Sequence, residues 1–293
     1  MFVRVQVPPR VLEKPPFGGL FFYSNNNRKF SAQTKKLTKN LFMKNIFALL
    51  LTMSFFLANS QDVEEIINNY IEITGGIDAY QELEGYKIYA SVNQQGLEIP
   101  IEIIQLKKGR TSLKLSLQGQ EIKQGVFDGE VLWSTGFPDF KPVKSDDEDV
   151  INLKNELKDF PDPFVVYKEL GYTVELDGTE DFEGTEVNVI KLTKTPVLVD
   201  GEEFPNIDYW LFDAEDNIPL AVRSEILEGP AKGFIEEQRF SDYQEVEGIY
   251  YPFSLTFGVK DQPGGQTFVV EKMEINPEID ESEFSFPDDE IQE

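Results

Sequence analysis

Residues Tyr86–Leu117 read YKIYASVNQQGLEIPIEIIQLKKGRTSLKLSL, and their polarity switches at nearly every second position. Tyr86, Ile88, Ala90 and Val92 alternate with Lys87, Tyr89 and Ser91. Leu97, Ile99, Ile101 and Ile103 alternate with Glu98, Pro100 and Glu102, and Leu113, Leu115 and Leu117 with Lys114 and Ser116. Successive strand side chains point to opposite faces, so a period of two describes strands with one apolar face. Such strands form antiparallel sheet covered on one side. The connections, Asn93–Gly96, Lys108–Arg110 and the turn at Gly119, are short and carry glycine. Neighbours in sequence are therefore neighbours in the sheet, which makes a meander.

The pattern continues in both directions. Asp128-Gly129, between Val126-Phe127 and Val131-Leu132-Trp133, is a two-residue hairpin signal. Further strands are expected at Thr173–Leu176, Val187–Leu192, Ile207–Phe212, Leu220–Ile226, Phe234–Phe240, Pro252–Val259 and Thr267–Met273. Upstream, Asp62 and Glu65 form a capping box, and Val63, Ile66, Ile67, Tyr70 and Ile71 share one helical face that Gly75-Gly76 ends. A short turn of helix follows at Asp78–Leu83. Ser145-Asp146-Asp147-Glu148 opens another helix, with Val150, Leu153 and Leu157 on one side. Asp162-Pro163 caps a third, through Phe164, Tyr167 and Leu170 to Gly171. The acids at 145–149 suit a positive helix N-terminus. They lack the spacing of a calcium loop, so no metal or cofactor is expected. The sum is a mainly β (α+β) domain over residues 61–287, about eleven strands with about three helices. The acidic segment from Asp280, ending in the tail 288–293, is expected to fray.

A long sheet with one apolar face must cover that face. It can close into a barrel or curve beneath helices. Three amphipathic helices are few for so many strands, which leaves part of a concave face open as an apolar cavity. Its mostly aliphatic lining suits an acyl chain better than a sugar or nucleotide. The alternative packs the same residues as a dry core.

Residues Met43–Gln61, MKNIFALLLTMSFFLANSQ, read as a secretory signal peptide: Lys44, a twelve-residue apolar run Ile46–Leu57, then small residues in Ala58-Asn59-Ser60. That run is short of the ~20 residues needed to span a bilayer. Cleavage is expected after Ser60, delivering a protein to the periplasm without stable membrane insertion. Residues 1–42 are then a mis-assigned start or a disordered extension. Nine of the 27 Lys/Arg and one of the 53 Asp/Glu fall in residues 1–60, leaving 18 basic against 52 acidic side chains, a formal charge of −34. Such a surface repels nucleic acid and anionic membrane faces.

The chain contains no Cys and no His. Thiol and imidazole nucleophiles, disulfides, thiolate or imidazole metal sites and lipid attachment at a cleavage-site Cys are all excluded. Carboxylate chemistry such as glycoside hydrolysis stays available. With 52 acids, however, a pair at the required spacing of ~5–9.5 Å arises by chance. No catalytic residue is assigned.

Several segments carry a resemblance in their order and spacing. They are DVEEIINNYI (62–71) ending in Gly-Gly, GLEIPI (96–101), the FDG hairpin with Trp133, YWLFDAEDNIPL (209–220), FSDYQEVEGIYYPF (240–253) and EKMEINPEI (271–279). Together they resemble the outer-membrane lipoprotein-sorting proteins of diderm bacteria, relatives of the periplasmic lipoprotein carrier LolA, over essentially all of 61–287. The resemblance implies a curved, incompletely closed antiparallel barrel with a helical lid. It also implies a cavity for lipoprotein acyl chains or other lipid in transit to the outer membrane, between membrane-bound donor and acceptor proteins. The expected lining is Ile88, Ala90, Leu97, Ile99, Ile101, Ile103, Leu113, Leu115 and Leu117, joined by Val187, Val189, Ile207, Tyr209 and Leu211. A one-residue slip on any strand would invert its face. The lid helices would present Val63, Ile66, Ile67, Tyr70, Val150, Leu153 and Leu157. The family's carriers hold cations near the cavity mouth, for which Arg110 and Arg223 are the candidates. The rival reading is a non-catalytic lipid-sensing or protein-interaction module on the same fold.

Overall fold

The computed structural model describes residues 63–94, 96–117 and 119–287. The expected secretory leader, the expected Asp62 cap and the tail 288–293 lie outside the described residues. The first half holds strands β1 (Gly85–Gln94), β2 (Leu97–Leu106), β3 (Arg110–Leu117), β4 (Gln120–Phe127), β5 (Leu132–Thr135) and β6 (Pro142–Lys144). The second holds β7 (Thr173–Phe182), β8 (Thr185–Val199), β9 (Glu202–Asp213), β10 (Pro219–Glu225), β11 (Ile235–Val246), β12 (Ile249–Val259) and β13 (Gln266–Ile275). Helix α1 covers 63–73, and α2 (Gly76–Glu82), α3 (Asp147–Glu156) and α4 (Pro163–Leu170) follow.

All thirteen strands lie in one open sheet of order β6-β5-β4-β3-β2-β1-β13-β12-β11-β10-β9-β8-β7. It is two antiparallel meanders, β1–β6 and β7–β13, joined where β1 pairs with β13. The strand number exceeds the expected eleven partly because β6, three residues long, is too short to show an alternation. The helices number four among the described residues, since the turn after α1 is a helix of its own.

The sheet is strongly curled, and α3 shows it. Val150 and Leu153 of α3, with Leu157 after it, pack on Phe127 of β4 and Leu132 of β5. From the same helix Asn152 exchanges hydrogen bonds with the backbone of Leu198 in β8, at 2.7 and 2.9 Å. Strands β5 and β8 stand ten steps apart in the sheet order. Laid flat, they would be separated by about 48 Å at ~4.8 Å per strand. One ten-residue helix, about 15 Å long, reaches both, so the helices occupy the concave side of an unclosed barrel.

Local chemistry places these helices. Val63, Ile66, Ile67 and Tyr70, at helical spacing, pack on Ile190 and Leu192 of β8 and Phe212 of β9. The Asp146 carboxylate accepts from the Asp149 N–H to cap α3, and Asp162 accepts from Phe164 N–H to cap α4, which ends at Gly171 in the left-handed region. Helix α1 stops at Gly75, whose φ is 139° and where a Cβ would sit 2.6 Å from the Gly248 carbonyl oxygen. Beside it the Thr74 carbonyl accepts from Tyr250 N–H at 2.9 Å. Gly75→Ala is therefore expected to cost about 2 kcal/mol. A urea midpoint that falls while the m-value holds would register it.

The segment expected to fray does not do so as far as residue 287. Phe284 is 1% exposed and shares a cluster with Ile104, Val126 and Trp133 on the convex face. Trp133 Nε1 donates to its carbonyl at 3.2 Å. The outer face of β4 and β5 is apolar and would otherwise meet water, so the tail covers it.

Candidate functional site

The first-half residues expected to line a cavity do share the concave face. Cross-strand pairing places Ile88 beside Ile103, Ala90 beside Ile101 and Val92 beside Ile99, then Ile101 beside Leu115 and Ile103 beside Leu113. Tyr86, on the same face of β1, stacks on Phe160 between α3 and α4 at 5.9 Å. The opposite face carries Lys87 and Lys114, both paired with Glu102 at 3.2 and 3.0 Å.

This wall is covered unevenly. Val92, Ile99 and Ile101 are buried against Leu113, Leu115, Leu117 and Phe268, a cluster to which no helix side chain contributes among the described residues. Leu97 at its rim is 46% exposed, and Leu113, Leu115 and Leu117 are half-buried. Ile103 also packs on the neighbouring cluster of Ile88, Ala90, Val270 and Met273. The apolar surface is therefore continuous from Leu117 to Tyr251.

The second-half residues lie elsewhere. Val187, Val189 and Leu211 are buried with Phe182 and Ala221, and Tyr209 packs against them. Their strand neighbours Ile190, Leu192 and Phe212 form the core under α1 and α4. By alternation Val187, Val189, Ile207, Tyr209 and Leu211 occupy the convex face, away from the helices. The concave face of β9 instead presents Asp208, Trp210 and Phe212. The expected lid residues Val63, Ile66, Ile67 and Tyr70 seal that end, while Val150, Leu153 and Leu157 sit over β4 and β5.

Between the sealed end and the open wall lies a cavity of about 230 Å³. Its lining includes Tyr86, Trp210, Phe240, Tyr251, Leu255 and Met273. None of the fourteen residues expected to line the cavity is in this lining, although Tyr251, Phe253 and Leu255 alternate in YYPFSL as visibly as the first strands do. Asp162 forms a polar spot on the wall. Its Oδ2 accepts from the Tyr70 hydroxyl at 2.7 Å and its Oδ1 from Phe164 N–H at 2.8 Å. Burial raises its pKa from 3.8 to about 6, against the pull of the Tyr70 and backbone donors. Burial likewise keeps Tyr70, Tyr80 and Tyr243 protonated.

A raised carboxylate means that the folded state binds the proton more tightly than the unfolded chain. The stability it contributes is full below pH 4 and lost as pH rises through 6. Relative to Asp162→Asn, which keeps the cap, the protein should lose up to about 3 kcal/mol between pH 4 and pH 7. Paired denaturation curves at the two pH values measure that difference.

Beside it on β9 a second cavity, about 310 Å³, is polar. Lys194 Nζ lies between Asp208 at 2.9 Å and Asp159 at 3.2 Å. Burial pulls its pKa down, but Asp208 and Asp159 outweigh this and hold the ammonium charged. Arg110 pairs with Glu281 and Arg223 with Glu180 and Glu237. Neither arginine lines the apolar cavity.

No protein-family model and no curated protein matches the chain. Solved structures do align with it. A DUF1329 family protein from Desulfovibrio piger superposes with a TM-score of 0.47 at 12% identity, covering 76% of this chain and 97% of the other. A LolA superfamily protein from Nitrosomonas europaea gives 0.46 at 11% identity over 76% and 97%. A putative outer membrane lipoprotein-sorting protein domain from Vibrio parahaemolyticus also gives 0.46 at 11% identity, over 76% and 97%. The chain is similar to these proteins in fold.

Proposed function

We propose that the protein is an exported, non-catalytic carrier that binds the acyl chains of lipoproteins or other lipids and moves them toward the outer membrane. The observation that carries this reading is the half-exposed apolar wall of Leu97, Leu113, Leu115 and Leu117, uncovered by any helix side chain among the described residues and continuous with the cavity. An apolar patch that faces inward and stays open is a binding surface. Each buried methylene contributes about 0.8 kcal/mol, so two or three acyl chains would bind strongly. Release then requires a competing acceptor or movement of the helices. The leader-like segment Met43–Gln61 supports export and a domain beginning at residue 61. No helix among the described residues is long and apolar enough to cross a membrane.

Native mass spectrometry with lipid extraction, on protein exported to a periplasm and purified without detergent, tests the proposal. A co-purifying acylated species is expected. It should disappear in Leu97→Glu/Leu115→Glu, whose half-exposed positions leave the circular dichroism spectrum unchanged. Clean apo protein that also ignores added lipoprotein would sink the carrier reading. A sensing or interaction module is then favoured by Phe137 and Phe140, 64% and 39% exposed at one end of the sheet. That module predicts a partner that stays bound when the cavity is filled.

A further inference from the structure

In an antiparallel meander the strand connections fall alternately at the two ends of the sheet. Because β1 pairs antiparallel with β13, the connections β1–β2, β3–β4, β5–β6, β8–β9, β10–β11 and β12–β13 share one end. The open apolar wall runs out to that end: Gln94 faces Leu97 across the first hairpin, and Leu117 faces Gln120 across the β3–β4 hairpin. The three exposed phenylalanines among the described residues, Phe137, Phe140 and Phe234, all stand in these connections. Phe137 and Phe140 form an edge-on pair at 5.0 Å. Their loop is closed by Gly136 N–H donating to the Lys141 carbonyl at 2.7 Å, so both rings are presented together.

The charge of this rim differs from that of the body. Connections 95–96 and 118–119 carry no charged residue. In 136–141 Asp139 is matched by Lys141, in 226–234 Glu228 by Lys232, and in 260–265 Lys260 pairs with Asp261 at 2.9 Å. Only at 200–201 do acids stand unmatched: Asp200, and Glu148 of α3, whose carboxylate accepts from both N–H groups of that turn. Five tips are thus each formally neutral, in a protein whose residues 61–293 total −34. One or two residues behind the tips lie Glu98, Glu121, Glu202, Glu203 and Glu236. Exposed aromatic side chains on neutral tips complement an apolar interface without net charge. The glutamates behind them oppose an anionic one.

We propose that this rim is a membrane-docking surface that seats Phe137, Phe140 and Phe234 in the interface of a zwitterionic phospholipid bilayer, with the mouth of the apolar wall against the lipid. Its purpose rests on the carrier reading: an acyl chain then passes between bilayer and wall without crossing water. The contact is reversible, since a few side chains remove little apolar area from water beside the ~20 residues of a spanning helix.

Sedimentation of the exported protein with phosphatidylcholine vesicles tests the proposal. Binding is expected, and it should hold between about 50 and about 500 mM NaCl, because no net charge is engaged. Replacing about a third of the lipid by phosphatidylglycerol should weaken it at the lower salt. Phe137→Ser/Phe140→Ser, folded by circular dichroism, should weaken it about thirtyfold. The matched control is Ile73→Ser/Ile77→Ser. These two side chains are also exposed, but they flank Thr74 and Gly75, which meet the β11–β12 turn at the opposite end. Their loss should change binding by less than about twofold.

Equal losses in the two double variants would mean general stickiness and overturn the rim assignment. Binding that requires phosphatidylglycerol and vanishes at high salt overturns it in favour of an electrostatic contact. No binding to either vesicle overturns it outright, and a protein partner then lost from Phe137→Ser/Phe140→Ser makes the rim a protein site. The co-purifying acylated species scores the carrier reading separately. Vesicle failure with that species present removes the docking surface and leaves the carrier; docking without it does the reverse.

Discussion

Phe164→Ala is expected to lower stability by about 4 kcal/mol. The ring is 1% exposed and sits where α4, α1 and the sheet meet. It contacts Tyr70 at 6.1 Å, Trp210 at 5.3 Å and Phe212 at 5.3 Å, all edge-on. Removing it opens a cavity that three rigid aromatic neighbours cannot collapse into, and it forfeits edge-to-face contacts worth about 0.5–1.5 kcal/mol each. Urea denaturation measures the loss, and the red shift of Trp210 emission reports the loosened helices. A loss below about 1 kcal/mol would show that α4 is held by other contacts. The site depends on the same ring, because it fixes the indole that borders the cavity.

Glu237→Ala is the second large effect, about 3 kcal/mol. Glu237 is 5% exposed and stands directly across from Arg223 on β10. Its Oε2 accepts from Arg223 Nε at 2.7 Å and its Oε1 from Arg239 Nε at 2.8 Å. Both guanidinium groups lie 5.6 Å from the Phe182 ring. Without the carboxylate, the two cations beside one aromatic ring keep only the more exposed Glu180 and Glu183 as counter-charges. Glu237→Gln keeps an acceptor and should lose less. Burial alone would raise the Glu237 pKa, but Arg223 and Arg239 hold it below the usual carboxylate range. Its contribution is present above the unfolded value and lost as pH falls through the folded one, opposite in sign to Asp162. The protein should therefore show two opposed slopes between neutral and acid pH, separable by comparing Glu237→Gln with Asp162→Asn.

The legible parts of the fold were those where one side of an element meets water. Strands β1 to β3 carry Lys87, Glu102 and Lys114 outward and aliphatic residues inward, so both their existence and their facing could be read from alternation. Helices α3 and α4 announced themselves through the Ser145–Glu148 start, whose cap in the structure is Asp146, and through Asp162, because an orphan N–H at a helix start has few other local acceptors. The alternation of Tyr251, Phe253 and Leu255 was visible, but that β9 to β13 line the cavity was not, since it depends on pairing β1 with β13, about 180 residues apart in sequence. The packing of Phe284 on Trp133 likewise joins residues 151 apart in sequence.

The amino-acid sequence by itself determined a mainly β, helix-capped, strongly acidic domain without thiol or imidazole chemistry. It also determined the apolar face of β1 to β3, because a period of two admits one assignment when the other face is charged. Tertiary structure alone decided the facing of β8 and β9. Val187 and Val189 on one side and Ile190 and Leu192 on the other are all 8% exposed or less. When both faces are apolar, alternation carries no contrast. Only the docking of α1 and α4 on one side, and of Phe182 on the other, determines which residues look into the concave interior.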